Sequence, residues 1–402
     1  MIYGINYAPE VAGVGRYSGE IGAYLASRGH QVSVVTAPPH YPSWRVEAPH
    51  SAVGWSVEQL DGATVYRCPL YLHAEMSGFR RLLAPVTFAL SSAPVAFWRI
   101  LTIRPDVVIA VEPTLLVAPL ALLAAALVGA RTVLHVQDLE VDAAFAVGHI
   151  AKGGLLAKLG AAFERFVMKR FDRVITIANA MARRVIEKGV VPDRVSVVRN
   201  WVDLDQIRPL AKPSTYRAQL GLSDDAFVVL YAGSLGAKHS LGLVIAAARA
   251  LKDRPDIAFV VAGEGPMRSE LESSARDLAN LRVLGFQPEA RFSDFLSLAD
   301  VHLLPQERDA ADLLLPSKLG GMLASGRRIL VTADTGSELS EFLGTSCVFV
   351  PPGEPELLIQ AIAALSEEPV CPVAMVERME LARRLSKETL IRQFSATAGL
   401  AD

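Results

Sequence analysis

The sequence predicts an α/β protein with two Rossmann-like domains that face each other across a cleft. The chain of 402 residues is too long for one typical α/β core and fits two domains of roughly 200 residues each. Short runs rich in valine and isoleucine alternate with longer runs rich in alanine and leucine, a pattern typical of a parallel sheet covered by helices. The alternation stops near residue 200 and then starts again, so a whole α/β domain is repeated.

The first half of the chain contains the elements of the first predicted domain. Strands are predicted at 2–7, 32–36, 64–67, 106–111, 132–136, 174–177 and 195–198. Helices are predicted between them, notably at 15–29, 115–129, 154–171 and 179–188. The segment 200–220 contains Pro209 and Pro213 and has no hydrophobic period, so it is predicted to link the two domains.

The second half repeats the pattern. Strands are predicted at 227–232, 257–262, 282–284, 301–304, 328–332 and 347–350. Helices are predicted at 241–252 and 266–277, and the charged helical stretch Val376–Phe394 lies beyond the second sheet.

Composition favours a cytoplasmic protein without a nucleic-acid partner. The net charge is −2 and the mean hydropathy is +0.31. Residues 1–200 carry 20 basic and 15 acidic residues, whereas residues 201–402 carry 20 and 27. The basic first half suggests contact with an anionic surface, such as phospholipid or a polyprenyl-phosphate acceptor, although scattered surface charge explains the same counts. Three widely spaced cysteines encode neither a disulfide framework nor a zinc site.

Two uncharged stretches, Leu82–Trp98 and Pro113–Ala130, approach the length that spans a bilayer. The second lies between two predicted strands, which is the spacing of a βαβ unit whose helix packs on a sheet. We therefore expect sheet-packed helices and no spanning segment; a helix that dips into one leaflet is the alternative. The residues Ile2–Tyr7 predict a first buried strand rather than a signal peptide.

The loop after the first strand has the composition of a phosphate-binding turn. Gly13 and Gly15 allow backbone N–H groups to approach a phosphate, and Arg16 can add a full positive charge. A tight turn without a ligand is the alternative. The dinucleotide fingerprint is missing, because no third glycine follows at the required spacing and no acidic residue closes the second strand.

Three further loops follow strands of the second domain. Tyr231–Lys238 combines glycines with a lysine, Ala262–Pro266 places Glu264 between two glycines, and Leu315–Leu319 joins a helix start at Pro316 to Lys318. An ordinary helix start is the alternative for the last loop. Phosphate-type loops at matching places in two α/β domains argue for a nucleoside diphosphate bound in the cleft.

Several segments also carry a family resemblance. They are Tyr3–Pro42, His135–Asp142, Glu187–Val190, Arg199–Asp203, Gly263–Pro266 and Leu315–Leu319. Together they resemble the family-4 glycosyltransferases and, within these, the exopolysaccharide enzymes of the colanic-acid type that act as fucosyltransferases. The resemblance covers nearly the whole chain.

The resemblance implies the GT-B fold. It implies an acceptor-binding domain at 1–205, a nucleotide-sugar-binding domain at 206–375, and a C-terminal helix at 376–402 that crosses back to the first domain. Donor binding would involve Gly233, Ser234, Lys238, Gly263, Glu264, Phe286, Gln287, Arg308, Asp312, Pro316, Ser317, Lys318 and Leu319. Lys238 and Lys318 would neutralise the diphosphate, the loop with Phe286 and Gln287 would receive the nucleobase, and the Gly13–Arg16 loop would close on the phosphates.

The sequence departs from the family pattern at three places. Ser234 stands where an arginine is expected, and Arg308 could replace that contact. The two glutamates of the E-x7-E motif fall on Ala310 and Lys318; Glu307, Asp309 and Asp312 are candidate replacements. The family's acceptor-domain histidine aligns either with His135 or with Gln137, just before Asp138.

By resemblance, the chemistry is glycosyl transfer with retention, in which the acceptor hydroxyl attacks from the side that the diphosphate leaves. Fixed cations and helix N-termini would stabilise the leaving group in place of a metal ion. Lys238 would stabilise charge, and Asp138 or His135 would orient the acceptor or the sugar; a buried strand histidine is the alternative for His135. The triplet Asp203-Leu204-Asp205 lies at the linker and is not expected to bind metal.

The expected substrates are a GDP- or UDP-linked sugar, with GDP-fucose first, and a lipid-linked or oligosaccharide acceptor; no cofactor is expected. The basic segment Lys152–Arg173 could rest on anionic lipid at the inner face of the membrane, or be the surface helix of a soluble domain. Two other functions stay open: a nucleotide-sugar epimerase or hydrolase of the same fold, and a nucleotide-binding protein without catalysis.

Overall fold

A computed structural model describes residues 1–41, 44–72, 79–139, 154–210, 214–236, 240–306 and 315–400. The chain forms two compact units. The first comprises Met1–Arg199 together with Ile391–Asp402, and the second comprises Asn200–Leu390. The α/β class with two largely parallel sheets is confirmed.

The first unit is built on a sheet of eight described strands. They are β1 Ile2–Tyr3, β2 Val32–Thr36, β3 Ser56–Leu60, β4 Ala63–Arg67, β5 Val107–Glu112, β6 Arg131–Val136, β7 Arg173–Thr176 and β8 Val195–Val197. Their order is β3-β4-β2-β1-β5-β6-β7-β8, and only the edge strand β3 is antiparallel to its neighbour among these pairs. The strand order reverses at β1, so a crevice is expected at the carboxyl ends of β1 and β5.

Helices cover this sheet. They are α1 Gly13–Ser27, α2 Phe79–Ile103, α3 Ala118–Val128, α4 Leu155–Met168 and α5 Asn179–Glu187. One row of α2, with Phe88 and Ile100 at no measurable exposure, packs with Tyr3 and Val108 of the sheet in a single apolar cluster. α2 is thus a sheet-packed helix, although it contains Pro85 and Pro94. By length and composition alone, its stretch Leu83–Ile103 would be able to cross a membrane.

The hairpin of β3 and β4 was not fully predicted from the sequence. β3 alternates between exposed and half-buried residues and lacks the continuous apolar run of an internal strand. Its turn does carry a signal, because Asp61 and Gly62 both adopt positive φ angles of 48° and 79°, as a tight two-residue hairpin requires. β1 is also shorter than the predicted strand 2–7, since the chain leaves the sheet after Tyr3.

The second unit is built on six described parallel strands. They are β9 Phe227–Ala232, β10 Ile257–Ala262, β11 Leu281–Leu284, β12 Val301–Leu304, β13 Arg328–Thr332 and β14 Val348–Val350. Their order is β11-β10-β9-β12-β13-β14, so the order reverses at β9. These bounds confirm the six predicted strands to within a residue at each end, because buried parallel strands are nearly continuous apolar runs.

The helices of the second unit include the two predicted ones. They are α6 Thr215–Gln219, α7 Leu241–Ala250, α8 Arg268–Asp277, α9 Phe292–Ser297, α10 Leu319–Ala324, α11 Glu338–Leu343, α12 Pro355–Glu367 and α13 Pro372–Arg384. The last helix, α14 Lys387–Thr397, begins in the second unit and ends in the first.

The unit boundaries differ from the sequence-based domain boundaries at 205 and 375. Val202 belongs to the second unit because its backbone N–H donates to Leu385 O at 2.8 Å, and its carbonyl accepts from the N–H of Lys387 at 2.9 Å. Helix α13 also stays with the second unit. Its buried Arg378 donates to the carbonyls of Ser346 and Gly326 at 2.8 and 3.2 Å.

A buried ion pair joins α6 to the sheet of the second unit. Arg217 donates to Asp300 Oδ2 at 2.8 Å and to the carbonyl oxygens of Ser223 and Ala226 at 2.9 and 2.8 Å. The same Asp300 oxygen accepts the N–H of Val228 at 3.0 Å. These bonds anchor the start of β9, and the loop with Gly233 and Ser234 follows the other end of the same strand.

We expect Arg217→Met to lower the free energy of unfolding by about 3–5 kcal/mol, because it leaves a buried carboxylate without its cation. The matched control is Arg254→Met, which breaks a more exposed pair with Asp256 and should change stability little. Urea denaturation followed by circular dichroism measures both. Equal stability of the two variants would contradict this assignment.

Candidate functional site

The loop after β9 is fixed by the loop after β10. Gly233 N–H donates to Ala262 O and Leu235 N–H to Glu264 O, both at 2.9 Å. Gly263 and Gly265 have φ angles of 149° and 153°, and a side-chain carbon on either would overlap the backbone at Gly233 or Leu235. Both glycines, of which Gly263 was predicted as a ligand contact, are required by the close packing of the two loops.

Lys318 lies beside this loop and supplies a cation. Its Nζ donates to Tyr231 Oη at 2.9 Å and lies 4.2 Å from the centre of that ring. A carbon added to Gly233 would come within 3.1 Å of the same Nζ. Tyr231 Oη in turn donates to Ser234 O at 2.6 Å. The fold thus brings the predicted residues Gly233, Ser234 and Lys318 together at the carboxyl end of the central strand.

Burial makes the positive charge of Lys318 less stable than it would be in water. Burial lowers the pKa of its ammonium group from 10.5 to about 7. Among the residues that the structure describes, Lys318 takes part in no ion pair. Burial also raises the pKa of Tyr231, which therefore stays a neutral donor. A buried ammonium group beside the backbone of Gly233 is suited to an anionic ligand, whose negative charge would raise the pKa of Lys318 again.

The expected helix start at Pro316 is displaced. Helix α10 begins at Leu319, and Pro316 lies before it, where its carbonyl accepts the N–H of Leu319 at 2.9 Å. Ser317 is exposed and Leu319 is buried in the core. α10 has only six residues, so its dipole is small and Lys318 provides the main positive charge of this turn.

The loop after β11 contains the residues predicted to meet the nucleobase. The side chain of Gln287 is occupied, because its Oε1 accepts from Tyr216 Oη at 2.8 Å and its Nε2 donates to Gly285 O at 2.9 Å. Phe286 is 47% exposed and can offer a ring face. Glu264 forms an ion pair with Arg268. A side-chain carbon on Gly285 would lie 3.3 Å from Glu264 Oε1, so these two loops are neighbours.

Three predicted donor-binding residues, Lys238, Arg308 and Asp312, lie outside the described residues. The candidate replacements Glu307 and Asp309 lie there as well. Their roles stay predictions.

In the first unit, the glycine loop is organised by a buried acid that sequence reasoning passed over. The carboxylate of Glu10 accepts the N–H groups of His40 and Tyr41 at 3.1 and 3.0 Å and the amide of Asn6 at 3.0 Å. A side-chain carbon on Gly15 would overlap Glu10. The sequence signal was available, since Glu10 lies within the glycine loop motif and is acidic in an otherwise apolar stretch.

Gly13 and Arg16 lie at the start of α1. The helix begins at Gly13, whose φ of 65° is in the left-handed region, and a side-chain carbon there would come within 3.0 Å of Tyr41. Arg16 Nε donates to Glu20 Oε1 at 3.0 Å. Its charge is thus partly compensated within α1, in contrast to the free cation that the sequence suggested.

His135 lies near the end of β6 and Asp138 lies just after that strand, but the two side chains differ in their exposure to solvent. His135 is 1% exposed, and its ring lies 4.8 Å from that of Phe394. Burial lowers the pKa of His135 to about 3, so the ring is neutral at physiological pH. Its Nε2 is 3.0 Å from the side-chain nitrogen of Gln137. Asp138 is only partly buried, so it is the better placed of the two for a ligand.

Two other acidic residues, Asp203 and Glu112, lie near the ends of structural elements. Asp203 Oδ1 accepts the N–H groups of Asp205 and Gln206 at 3.1 and 3.2 Å, and its Oδ2 lies 3.4 Å from Lys387 Nζ, so this carboxylate organises a turn. Glu112 is fully buried at the end of β5, next to the point where the strand order reverses. Within the described part of the chain, no cluster of three or more His, Cys, Asp or Glu side chains is arranged to hold a metal ion.

Two family models match the chain. The glycosyl transferase 4-like domain matches residues 12–201, and the model named glycosyl transferases group 1 matches residues 226–368. Over 405 residues the chain is 40% identical to a protein of Escherichia coli (strain K12) named as a colanic acid biosynthesis glycosyl transferase, WcaI, with 98% of each chain covered.

Solved structures show the same fold. Sucrose-phosphate synthase from Thermosynechococcus elongatus superposes with a TM-score of 0.73 at 15% identity, covering 98% of this chain and 96% of that one. HepE of Anabaena, solved with UDP and glucose, superposes with a TM-score of 0.70 at 16% identity, covering 100% and 99%.

We expect the affinity for a nucleoside diphosphate to decrease as the pH rises above about 7. Lys318 is protonated in the free protein only below its pKa of about 7, whereas a bound anion favours the protonated form. Binding at pH 8 should therefore take up protons. Calorimetry with UDP and GDP in buffers of different ionisation enthalpy measures this uptake.

Lys318→Met serves as the comparison, because it keeps the stem and removes the titrating group. It should bind more weakly at pH 6 and lose the decrease between pH 7 and 9. If the variant retains the pH dependence of the wild type, Lys318 is not the titrating group.

Proposed function

Since this chain belongs to the GT-B glycosyltransferases with 4-like and group 1 domains, we propose that it transfers a hexosyl group during exopolysaccharide biosynthesis. The donor would be a nucleoside-diphosphate sugar and the acceptor a lipid-linked or growing oligosaccharide. The configuration at the anomeric carbon would be retained.

The observation that carries this proposal is the position of Lys318. Its ammonium group lies against Gly233 and Tyr231, at the carboxyl end of the strand where the order of the second sheet reverses. Ligands of open α/β sheets bind at such points. A diphosphate leaving group gains negative charge as the sugar departs, and a fixed cation in a partly dry site stabilises that charge.

The proposed reaction has a simple balance of atoms. The acceptor oxygen bonds to the anomeric carbon on the face from which the diphosphate leaves, and the bond from that carbon to the phosphate oxygen breaks. The acceptor proton passes to the leaving phosphate. Lys318 and the sequence-predicted Lys238 stabilise the diphosphate without a metal ion, and Asp138 orients the acceptor. His135, which is enclosed and neutral, supports the end of β6.

The donor base and sugar are proposed from similarity. HepE was solved with UDP and glucose, which supports a nucleotide-sugar donor, and we propose either a UDP- or a GDP-linked hexose. GDP-fucose is the first donor to assay, on the resemblance to colanic-acid enzymes. No cofactor is required in this scheme.

We propose further that the first unit contacts the cytoplasmic face of a membrane through α4. Its outward row includes Lys158 and Arg165, and Lys169 follows directly after its last residue; Leu159 and Phe166, each 56% exposed, lie between these cations. Exposed apolar side chains among cations suit the interface of an anionic bilayer.

Three measurements separate the alternatives and select the donor base. Release of nucleoside diphosphate that requires an acceptor supports transfer, whereas equal release without acceptor would identify a hydrolase, and conversion of the donor sugar an epimerase. Binding without turnover over a panel of acceptors would favour a non-catalytic protein. Thermal-shift screening against GDP, UDP, TDP and CDP selects the donor base, since ligand binding stabilises the folded state.

We expect Lys318→Ala and Lys238→Ala each to reduce turnover by roughly 10²–10³-fold, because each removes charge stabilisation of the leaving group. Lys252→Ala, at an exposed position of the second unit, is the control and should retain wild-type turnover. Near-wild-type activity of Lys318→Ala, with an unchanged melting temperature, would reject Lys318 as the stabilising cation.

A further inference from the structure

An exposed apolar surface covers the helix layer of the first unit. It is formed by side chains that α2, α3 and the turn before α3 direct outward, and we name it the α2–α3 face. Its members are Val86, Leu90, Trp98, Leu116, Leu123 and Leu127, with exposures between 40% and 71%. α3 contains no polar residue on any side, and a helix of that kind is normally buried in a large core or in lipid.

The face is continuous and contains two grooves. One, of about 460 Å³, lies between α2 and α3 and is lined by residues that include Val86, Leu90 and Leu123. The other, of about 380 Å³, lies between α2 and the β3–β4 hairpin and is lined by residues that include Trp55 and Trp98. The apolar surface therefore runs from the hairpin across α2 to α3, which is more than scattered exposed residues would give.

α2 presents only one side to this face. Phe88, Ala96 and Ile100 are fully buried against the sheet, yet only 22% of its apolar stretch lies inside the protein. A helix tied to a sheet along one side cannot cross a bilayer alone, but its free side can enter one leaflet. The geometry is thus that of a surface lying on a membrane.

The charges around the face match anionic lipid. In the sequence, Phe79–Ile103 contains three arginines and no acidic residue, and Pro113–Ala130 contains no charge. Arg99 lies 4.4 Å from the ring centre of Tyr66 at the edge of the second groove, and Arg104 is exposed just beyond α2. Glu58, on the hairpin, is bound by Arg67 with Nε 2.8 Å from its carboxylate. The exposed acids Asp61 and Asp106 lie at the hairpin turn and beyond the end of α2, so the cations are concentrated on α2 itself.

The two indoles favour the same environment. Trp98 and Trp55 are 64% and 62% exposed, and Trp55 Nε1 donates to Ser91 O at 3.1 Å. Tryptophan is enriched at the boundary between lipid headgroups and acyl chains, where its ring is apolar and its N–H is polar. Two exposed tryptophans at one edge mark that boundary.

We propose that the α2–α3 face inserts into the acyl region of one leaflet of an anionic bilayer, with Trp55, Trp98 and the arginines at the headgroup level. This goes beyond the charge-driven contact through α4 and does not depend on the transferase activity. The apolar side chains provide the main free energy of binding, because moving exposed leucine side chains out of water is favourable.

A second copy of the chain fits this face less well than lipid. A symmetric pair would bury the same patch of both copies, and Arg99 at its edge would lose water. Among the described residues of α2 and α3 no acid is available to pair with it. An anionic headgroup layer offers the opposite charge, so the bilayer is the better occupant.

The sheet topology places the basic helix α4 in the same layer. The connections from β4 to β5, β5 to β6 and β6 to β7 all run in one direction along the sheet and join parallel strands. Right-handed connections then place α2, α3 and α4 on one side of the sheet. Both membrane contacts can therefore be made at once.

The test uses the full chain and a double variant, Leu90→Glu with Leu123→Glu. These residues are 71% and 55% exposed, so the fold should tolerate the change. The matched control is Val373→Glu with Val376→Glu on α13 of the second unit, 67% and 63% exposed. Vesicle flotation is measured with phosphatidylcholine alone and with added phosphatidylglycerol, at low salt and at about 0.5 M NaCl, where charge attraction is screened.

We expect the wild type and the control to float with anionic vesicles and to keep part of their binding at high salt. The Leu90/Leu123 variant should lose at least about tenfold in partitioning, most clearly at high salt. Trp98 should be quenched by brominated lipid chains, and the quenching should weaken in Trp98→Phe. Equal melting temperatures exclude unfolding as the cause.

Three results would overturn the proposal: equal binding of the Leu90/Leu123 variant and the wild type, no vesicle binding by the wild type, or complete release at high salt. Dimers of the wild type that the variant abolishes, without vesicle binding, would identify a second copy as the occupant instead. The assay contains no sugar donor, so its outcome is separate from that of the transferase assays.

Discussion

The close approach of two backbones positions the candidate site of the second unit. The carbonyl of Gly233 lies where any side chain at residue 263 would be, and the backbone of Leu235 is equally close to Gly265. This contact ties the loop after β9 to the loop after β10, and it leaves the ring and hydroxyl of Tyr231 beneath the ammonium group of Lys318. A larger residue at either glycine would move the loop and separate the cation from the backbone it serves.

Two buried cations of the second unit, Arg217 and Lys318, have different surroundings. Arg217 is surrounded by a carboxylate and two carbonyl groups, so its charge is satisfied within the protein and contributes to stability. Among the described residues Lys318 contacts a hydroxyl group and a ring, and burial lowers its pKa. A charge left in that condition costs stability until an anion binds. A buried cation that keeps no carboxylate partner, as Lys318 does among the described residues, is typical of a binding site for an anionic ligand.

The sequence predicted strands best where both faces of the strand are buried. The six strands of the second sheet were predicted closely because parallel strands covered on both sides leave a continuous apolar run, whereas the polar edge strand β3 left only the Asp61-Gly62 turn as a signal. The glycines at 263 and 265 stand out in the sequence as a loop motif, but a glycine needed for backbone packing and one needed for phosphate have the same appearance in sequence. Glu10 was missed because its partners, His40 and Tyr41, lie thirty residues away.

In the first unit, the loops that carry the predicted acceptor site lie at an edge next to the helix layer of α2 and α3. In a parallel α/β unit the helices cover the flat sides of the sheet, and the carboxyl ends of the strands form an edge between those sides. With the helix layer of α2 and α3 on a leaflet, the edge that carries the glycine loop and Asp138 stands beside the membrane surface and stays open. A lipid-linked acceptor would then keep its tail in the leaflet while its saccharide reaches the loops after β1 and β6. Transfer to a water-soluble acceptor would not need this membrane contact, so the proposed surface and the proposed lipid-linked substrate support each other.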